Sequence, residues 1–218
     1  MHMSDQAPDA PPCPTCQKAP ALCVCADIQP IENRIEVLIL QHPQEQDVEL
    51  GTARLTVAHL RHAALRVGLS WPSLAKALGH PADPKDWGVL YLGSAKAAEA
   101  APGREVAVLS RKGNLHPEND ARLESLKGII LLDGSWAQAK ALWWRNAWLL
   151  KCQRIILGPR QPSRYGKLRR EARSDAVSTL EAGALLLSHL EKRPEIGQAL
   201  LASFDRLLAR YTATRRTR

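Results

Sequence analysis

The chain has 218 residues, 45% hydrophobic and 24% charged, which is enough to bury a substantial core in one globular domain and excludes a disordered tail protein. Thirty Lys and Arg against 22 Asp and Glu give a formal net charge of +8 and a pI near 9.5, a balance that favours polyanionic partners and nucleic acid first among them. There is no run of 18 apolar residues and no charged, apolar, small-residue leader, so a membrane-spanning helix is excluded and a cytoplasmic location is expected.

In chain order, residues 1–12 are polar and Pro-rich and are expected to be mobile. Cys13-Pro-Thr-Cys16 and Cys23-Val-Cys25 then place four thiols within thirteen residues. In a reducing compartment this spacing is better explained by thiolates around one tetrahedral metal, zinc by preference, than by disulfides. Four protein ligands leave no open position for water, so 13–30 reads as a structural knuckle. Cys152 stands alone beside an apolar run and reads as a small buried hydrophobe.

After the knuckle, apolar runs alternate with helical patterns. The segments 34–41, 87–93, 105–110, 128–133 and 153–158 are short, rich in Val, Ile and Leu, and lack polar alternation, as strands buried on both faces do. Helices are predicted at about 52–67, 70–79, 118–127, 135–150, 175–191 and 195–213, the first carrying His59 and His62 as surface positions. The fold class is therefore α/β, an open and mostly parallel sheet over 31–213, closed by a basic tail at 214–218.

In such sheets ligands bind outside the carboxyl ends of the strands. Asp133 ends the run GIILLD and is followed by Gly134, Ser135 and Trp136. Gly134 permits a sharp turn and Ser135 caps the next helix. Backbone N–H groups there suit an anionic ligand group, with Trp136 as an aromatic wall. The competing reading makes Asp133 and Ser135 plain caps and Trp136 a core residue. A second notable stretch, 158–174, carries Arg160, Arg164, Lys167, Arg169, Arg170 and Arg173, interleaved with Pro162, Tyr165 and Gly166. A basic segment with an aromatic between strand and helix suits RNA backbone and base contact.

Taken in order, CPTC with CVC, QHPQE (41–45), LGTARL (50–55), LDGSW (132–136), LGPRQPSRYGKLRREAR (157–173) and STLEA (178–182) resemble the DTW-domain family, named for an Asp-x-Thr/Ser-Trp motif. The resemblance runs from about residue 13 to about 190. Here Ser135 keeps the hydroxyl of the motif without the methyl. LGTARL departs from the usual Asn-Thr-Gly-Arg-Leu, with Thr52 and Arg54 keeping the polar characters.

The resemblance implies a tRNA-uridine aminocarboxypropyltransferase, which moves the 3-amino-3-carboxypropyl group of S-adenosylmethionine to N3 of a uridine and leaves methylthioadenosine. It further implies kinship with SPOUT-type folds, whose C-terminal half is threaded into a knot that forms the cofactor pocket. On that reading Asp133 is the base for the N3 proton or an electrostatic partner of the sulfonium. Trp136 stacks on a base or on adenine, and Gly134 and Ser135 belong to the cofactor site. Arg164 or Arg169 takes the α-carboxylate, Glu181 takes the α-amine, and Ser178 and Thr179 add hydroxyls. His42, Arg54, Arg160, Lys167, Arg170 and Arg173 contact RNA, with Glu45 on the same face. Cys13, Cys16, Cys23 and Cys25 hold structural zinc. The partner is tRNA, with no membrane and no obligate protein partner, the protein being a monomer or homodimer. Alternatives are a SPOUT-like RNA methyltransferase, an rRNA aminocarboxypropyltransferase, and a non-catalytic zinc-containing RNA-binding protein.

Overall fold

The structure is a computed structural model that describes residues 10–90, 102–158, 163–166, 168 and 177–216. Its centre is a sheet of β1 (Glu36–Gln41), β2 (Ala63–Val67), β3 (Trp87–Leu90), β4 (Val106–Leu109), β5 (Gly128–Asp133) and β6 (Gln153–Leu157). The strand order is β2-β1-β5-β3-β6-β4. All neighbours run parallel except β4, which closes one edge antiparallel to β6. The helices are α1 (Ala53–Ala58), α2 (Leu74–Leu78), α3 (Asn119–Glu124), α4 (Trp136–Arg145), α5 (Thr179–Glu191) and α6 (Pro194–Arg216).

The apolar runs are continuous because both faces of the sheet are covered. In β1 and β5, Val37, Ile39, Ile129 and Leu131 face one core with Leu55 of α1, Leu180 and Leu187 of α5 and Phe204 of α6. Leu38, Leu40 and Ile130 face the other, with Leu74 and Leu78 of α2 and Leu142 and Trp143 of α4. Period-two alternation thus feeds two cores from one strand. Cys152 is buried in the second core, and burial pushes its thiol up to about 12.

The predicted helix 52–67 is the main correction. It stops at Ala58, and Ala63–Val67 is instead the edge strand β2, paired in parallel with β1. Asn33 causes the switch: its Nδ2 donates to the carbonyls of Ile35 and His62, and its Oδ1 accepts from His62 N at 2.9 Å. Those bonds lay residue 62 alongside β1, and tertiary pairing overrides the helical preference of Ala63-Ala64-Leu65. His59 and His62 are consequently not two surface positions on one helix. His62 is exposed ahead of β2, with Nε2 2.7 Å from Glu32. His59 is 3% exposed, and neither ring nitrogen has a hydrogen-bond partner among the described residues. At the other end, α6 runs to Arg216, so Arg215 and Arg216 form its last turn.

Burial, with Arg206 nearby, holds the His59 pKa down to about 4. A base with a lowered native pKa takes up its proton in the unfolded chain first, so stability is full above about pH 6.5 and falls as pH drops towards 4. The slope is about 1.4 kcal/mol per pH unit. Urea melts at pH 7 and pH 5 are expected to show about 2 kcal/mol of acid destabilisation that is missing from His59→Leu. Equal losses in both proteins would remove His59 as the cause.

The helices that follow β1 and β5 leave on opposite faces, α1 into the first core and α4 into the second. The carboxyl ends of these two adjacent strands therefore form a switch point of the sheet, the kind of place where open α/β sheets bind ligands.

Candidate active site

Gln41 and Asp133 are the last residues of β1 and β5 and stand opposite one another in the ladder. Gln41 Nε2 donates to Asp133 Oδ2 at 2.8 Å, and Thr179 Oγ1, in the first turn of α5, donates to Oδ1. The backbone N–H of His42 extends the pairing to the Asp133 carbonyl at 3.0 Å. Asp133 is only 6% exposed, yet each oxygen accepts one described bond where an ionised carboxylate accepts about two. The acid is held in one orientation with capacity left for a ligand proton.

The turn after Asp133 needs Gly134. Its φ is +153°, and a Cβ there would lie 2.8 Å from that of Gln138 and 3.4 Å from that of His42. Ser135 caps α4 in a capping box: its Oγ accepts from Gln138 N, and Gln138 Oε1 accepts from Ser135 N at 2.6 Å. Gln138 Nε2 reaches Gln44 Oε1 at 3.3 Å and ties the turn to the segment after β1. His42 caps that segment, its Nδ1 accepting from Gln44 N. Trp136 is 40% exposed and so is not the core residue of the competing reading.

A second capping box starts α5. Ser178 Oγ accepts from Glu181 N, and Glu181 accepts from Ser178 N, Ser163 Oγ and Arg164 N at 2.7–2.8 Å. Glu181 is buried, so both its oxygens buckle the described part of the basic loop to the helix. Arg164 pairs with Asp205 of α6 at 2.5 Å. Tyr165 is a correction. Taken from sequence as an aromatic for RNA, it is buried, donates to the Leu50 carbonyl at 2.7 Å and packs edge-on against Phe204. Arg160, Lys167, Arg169, Arg170 and Arg173 lie outside the described residues.

Of His42, Arg54 and Glu45, expected on one face, Arg54 and Glu45 line, with Gln41, Lys18, Asp47 and Glu49, a cavity of about 310 Å³ between the knuckle and the end of β1, and His42 is not among its lining residues. Arg54 Nε and Gln41 Oε1 are buried there without a hydrogen-bond partner among the described residues.

The knuckle brings the sulfurs of Cys13, Cys16, Cys23 and Cys25 within 4.8 Å of one another. Tetrahedral zinc with bonds of about 2.3 Å needs sulfurs roughly 3.8 Å apart, so four thiols at this spacing could hold such a metal ion. Cys13 N donates to the Lys18 carbonyl and Gln17 N to the Cys13 carbonyl, and Gln17 takes the left-handed conformation that closes the turn. The Cys16 N–H holds the Cys13 thiol down to about 6, while burial pushes those of Cys16 and Cys25 up. Leu22 and Val24 anchor the knuckle in the first core, Lys18 Nζ donates to the Glu49 carbonyl, and Arg210 of α6 donates to the Cys23 carbonyl.

Two features escaped the reading of the sequence. Gln41 is the polar residue that ends the apolar run Val37–Leu40 of β1, and that break in pattern was its signal. Trp144 is 69% exposed and shares a face of α4 with exposed Lys140 and with Trp136, at steps of four residues.

Comparison with known proteins adds three findings. The profile of the DTW domain matches residues 10–212. Curated relatives carrying the name tRNA-uridine aminocarboxypropyltransferase 2 are 26% identical in Macaca fascicularis, over 90% of this chain and 62% of that protein, and 27% identical in Mus musculus, over 93% and 64%. The Drosophila melanogaster protein of that name is 27% identical over 87% of this chain and 70% of its own length. The chain thus spans a little under two thirds of the mammalian relatives. No solved structure matches.

Proposed function

Because the chain belongs to the DTW domain family, we propose that it is a tRNA-uridine aminocarboxypropyltransferase that uses S-adenosylmethionine and forms 3-(3-amino-3-carboxypropyl)uridine. The observation that carries the reading is Asp133, fixed by Gln41 and Thr179 at the switch point where β1 and β5 end. S-Adenosylmethionine supplies a carbon activated by a sulfonium leaving group. Asp133 takes the N3 proton of the uridine as N3 bonds to that carbon and the carbon–sulfur bond breaks, so methylthioadenosine departs as a neutral thioether. Trp136, on the rim, stacks on the acceptor base, and the basic segment 160–173 neutralises RNA phosphates. The knuckle holds zinc as a brace without taking part in the transfer.

The reading includes a SPOUT-like, threaded C-terminal half. Its support is the path of the chain, which leaves β6, separated from β5 by β3, and returns as α5 to the ends of β1 and β5. It also sets the protein among cytoplasmic tRNAs. Among the described residues no helix is long and apolar enough to cross a membrane.

The test is to incubate the protein with S-adenosylmethionine and unmodified tRNA and to identify both products by mass spectrometry. Aminocarboxypropyluridine with methylthioadenosine is expected. A methylated nucleoside with S-adenosylhomocysteine would make it a methyltransferase instead, and product only on ribosomal RNA would move the acceptor.

A further inference from the structure

The 310 Å³ cavity between the knuckle and the end of β1 is chemically unusual for a surface hollow. It gathers two cations, Lys18 and Arg54, and three acids, Glu45, Asp47 and Glu49, around the buried amide of Gln41. Gln41 is 3% exposed, and its Nε2 is committed to Asp133, which fixes the amide so that Oε1 is turned away from the acid. That Oε1 has no partner among the described residues, and neither has Arg54 Nε. A buried acceptor or donor left unpaired costs about 1–3 kcal/mol, and in a native protein it marks a group that something else satisfies.

The two orphans define the ligand. Gln41 asks for an N–H donor and Arg54 for an acceptor, and both residues line one cavity whose charges are of both signs. A phosphate would face three acids, and a bare cation would face Lys18 and Arg54. Only the four knuckle cysteines, among the described residues, converge as a metal-ligand set. An α-amino acid, with ammonium and carboxylate on one carbon, answers both orphans at once. The volume sits at the low end of the roughly 300–1,000 Å³ range of ligand pockets, enough for an amino-acid end but not for a nucleoside as well.

We infer that this cavity is the subsite for the amino-acid end of S-adenosylmethionine, with Arg54 on the carboxylate and Gln41 Oε1 on the ammonium. The inference rests on the proposed transferase reading and locates its travelling group. Through Gln41 the subsite lies one amide away from Asp133, so a group anchored there presents its far carbon towards the acid. Arg54 thereby serves the donor and not RNA. The arrangement also leaves Arg164 with Asp205 and Glu181 with its own helix cap.

The test compares binding of S-adenosylmethionine and of its decarboxylated form, which keeps the sulfonium and the amine, to the full chain by calorimetry. The wild-type protein is expected to prefer S-adenosylmethionine by about tenfold or more, the loss typical of an unmatched charged hydrogen bond. Arg54→Gln is expected to bind both ligands alike, and Arg54→Lys to restore part of the preference. A preference that persists in Arg54→Gln, or its absence from the wild type, overturns the subsite. So does Arg54→Gln losing both ligands together, which makes the arginine a brace of the pocket. Wild-type protein that binds neither ligand overturns the transferase reading itself.

Discussion

Asp133→Asn is expected to lower the rate of transfer by about 10²–10⁴-fold, the range for removing a positioned general base, while the protein stays folded. The substitution is isosteric, and the surroundings can absorb it. Gln41 still donates to the remaining oxygen, and the Thr179 hydroxyl, which can accept as well as donate, turns to accept from the new NH₂ group. What is lost is the capacity to take a proton. Single-turnover kinetics with tRNA, alongside titration of S-adenosylmethionine, separates the two roles open to this acid. A collapsed rate with unchanged donor affinity makes Asp133 the base. Affinity and rate falling together make it the electrostatic partner of the sulfonium, and wild-type values for both remove it from the chemistry.

Loss of the knuckle metal is expected to be the largest stability effect. Cys16 is buried, and a lone serine there leaves a polar group among three thiols with no cation to order them. Structural zinc contributes folding free energy directly, because the unfolded chain has no preformed site. The knuckle is also not a separate bead. Leu22 and Val24 belong to the main core, and Lys18 bonds to the Glu49 carbonyl, so its collapse strips one wall from that core. If 3–5 kcal/mol is lost, a chain of this size melts about 10 °C lower. Metal analysis is expected to give one zinc per wild-type chain and none for Cys16→Ser. Chelator-treated wild type is expected to melt as the variant does. Metal-free wild type that melts at the same temperature as zinc-loaded protein would make the cysteines incidental.

The order of strands and helices was legible because strands covered on both faces have no solvent side to show. Their runs of Val, Ile and Leu stand out between polar turns, and β1, β3, β4, β5 and β6 all lie within the expected segments. The exception, β2, is an edge strand whose residues are only half buried, so its sequence RHAALRV carries as much helical as strand character. What decides it is Asn33, thirty residues away and invisible to any local window. His59 was misplaced as well: three residues after Thr56 and four after Leu55, it continues the buried face of α1, and its polar type hid that.

The candidate site was legible where it is local. The Ser135 cap, the Gly134 turn and the cysteine spacing are short-range devices, and each formed; the capping box of Ser178 and Glu181 is as local, but those residues were read as partners of the donor. Long-range contacts were not. Nothing near Glu181 announces Ser163 and Arg164 as its partners, and nothing near Tyr165 announces Leu50. Gln41 shows the difference best: one residue N-terminal to the HPQE segment, it gains meaning only once β5 is laid beside β1 and Asp133 comes opposite.

Arg210 grips the Cys23 carbonyl across 187 residues of sequence, clasping the cysteine hairpin to α6. On the ribosome the hairpin is made 187 residues before its clasp, so the loop that must close to dock it spans most of the described fold. Closing a loop of that length is slow, although its entropy grows only as the logarithm of the number of residues. Metal capture can therefore precede docking during synthesis, which leaves the clasp as the late step that fixes the filled hairpin to the fold.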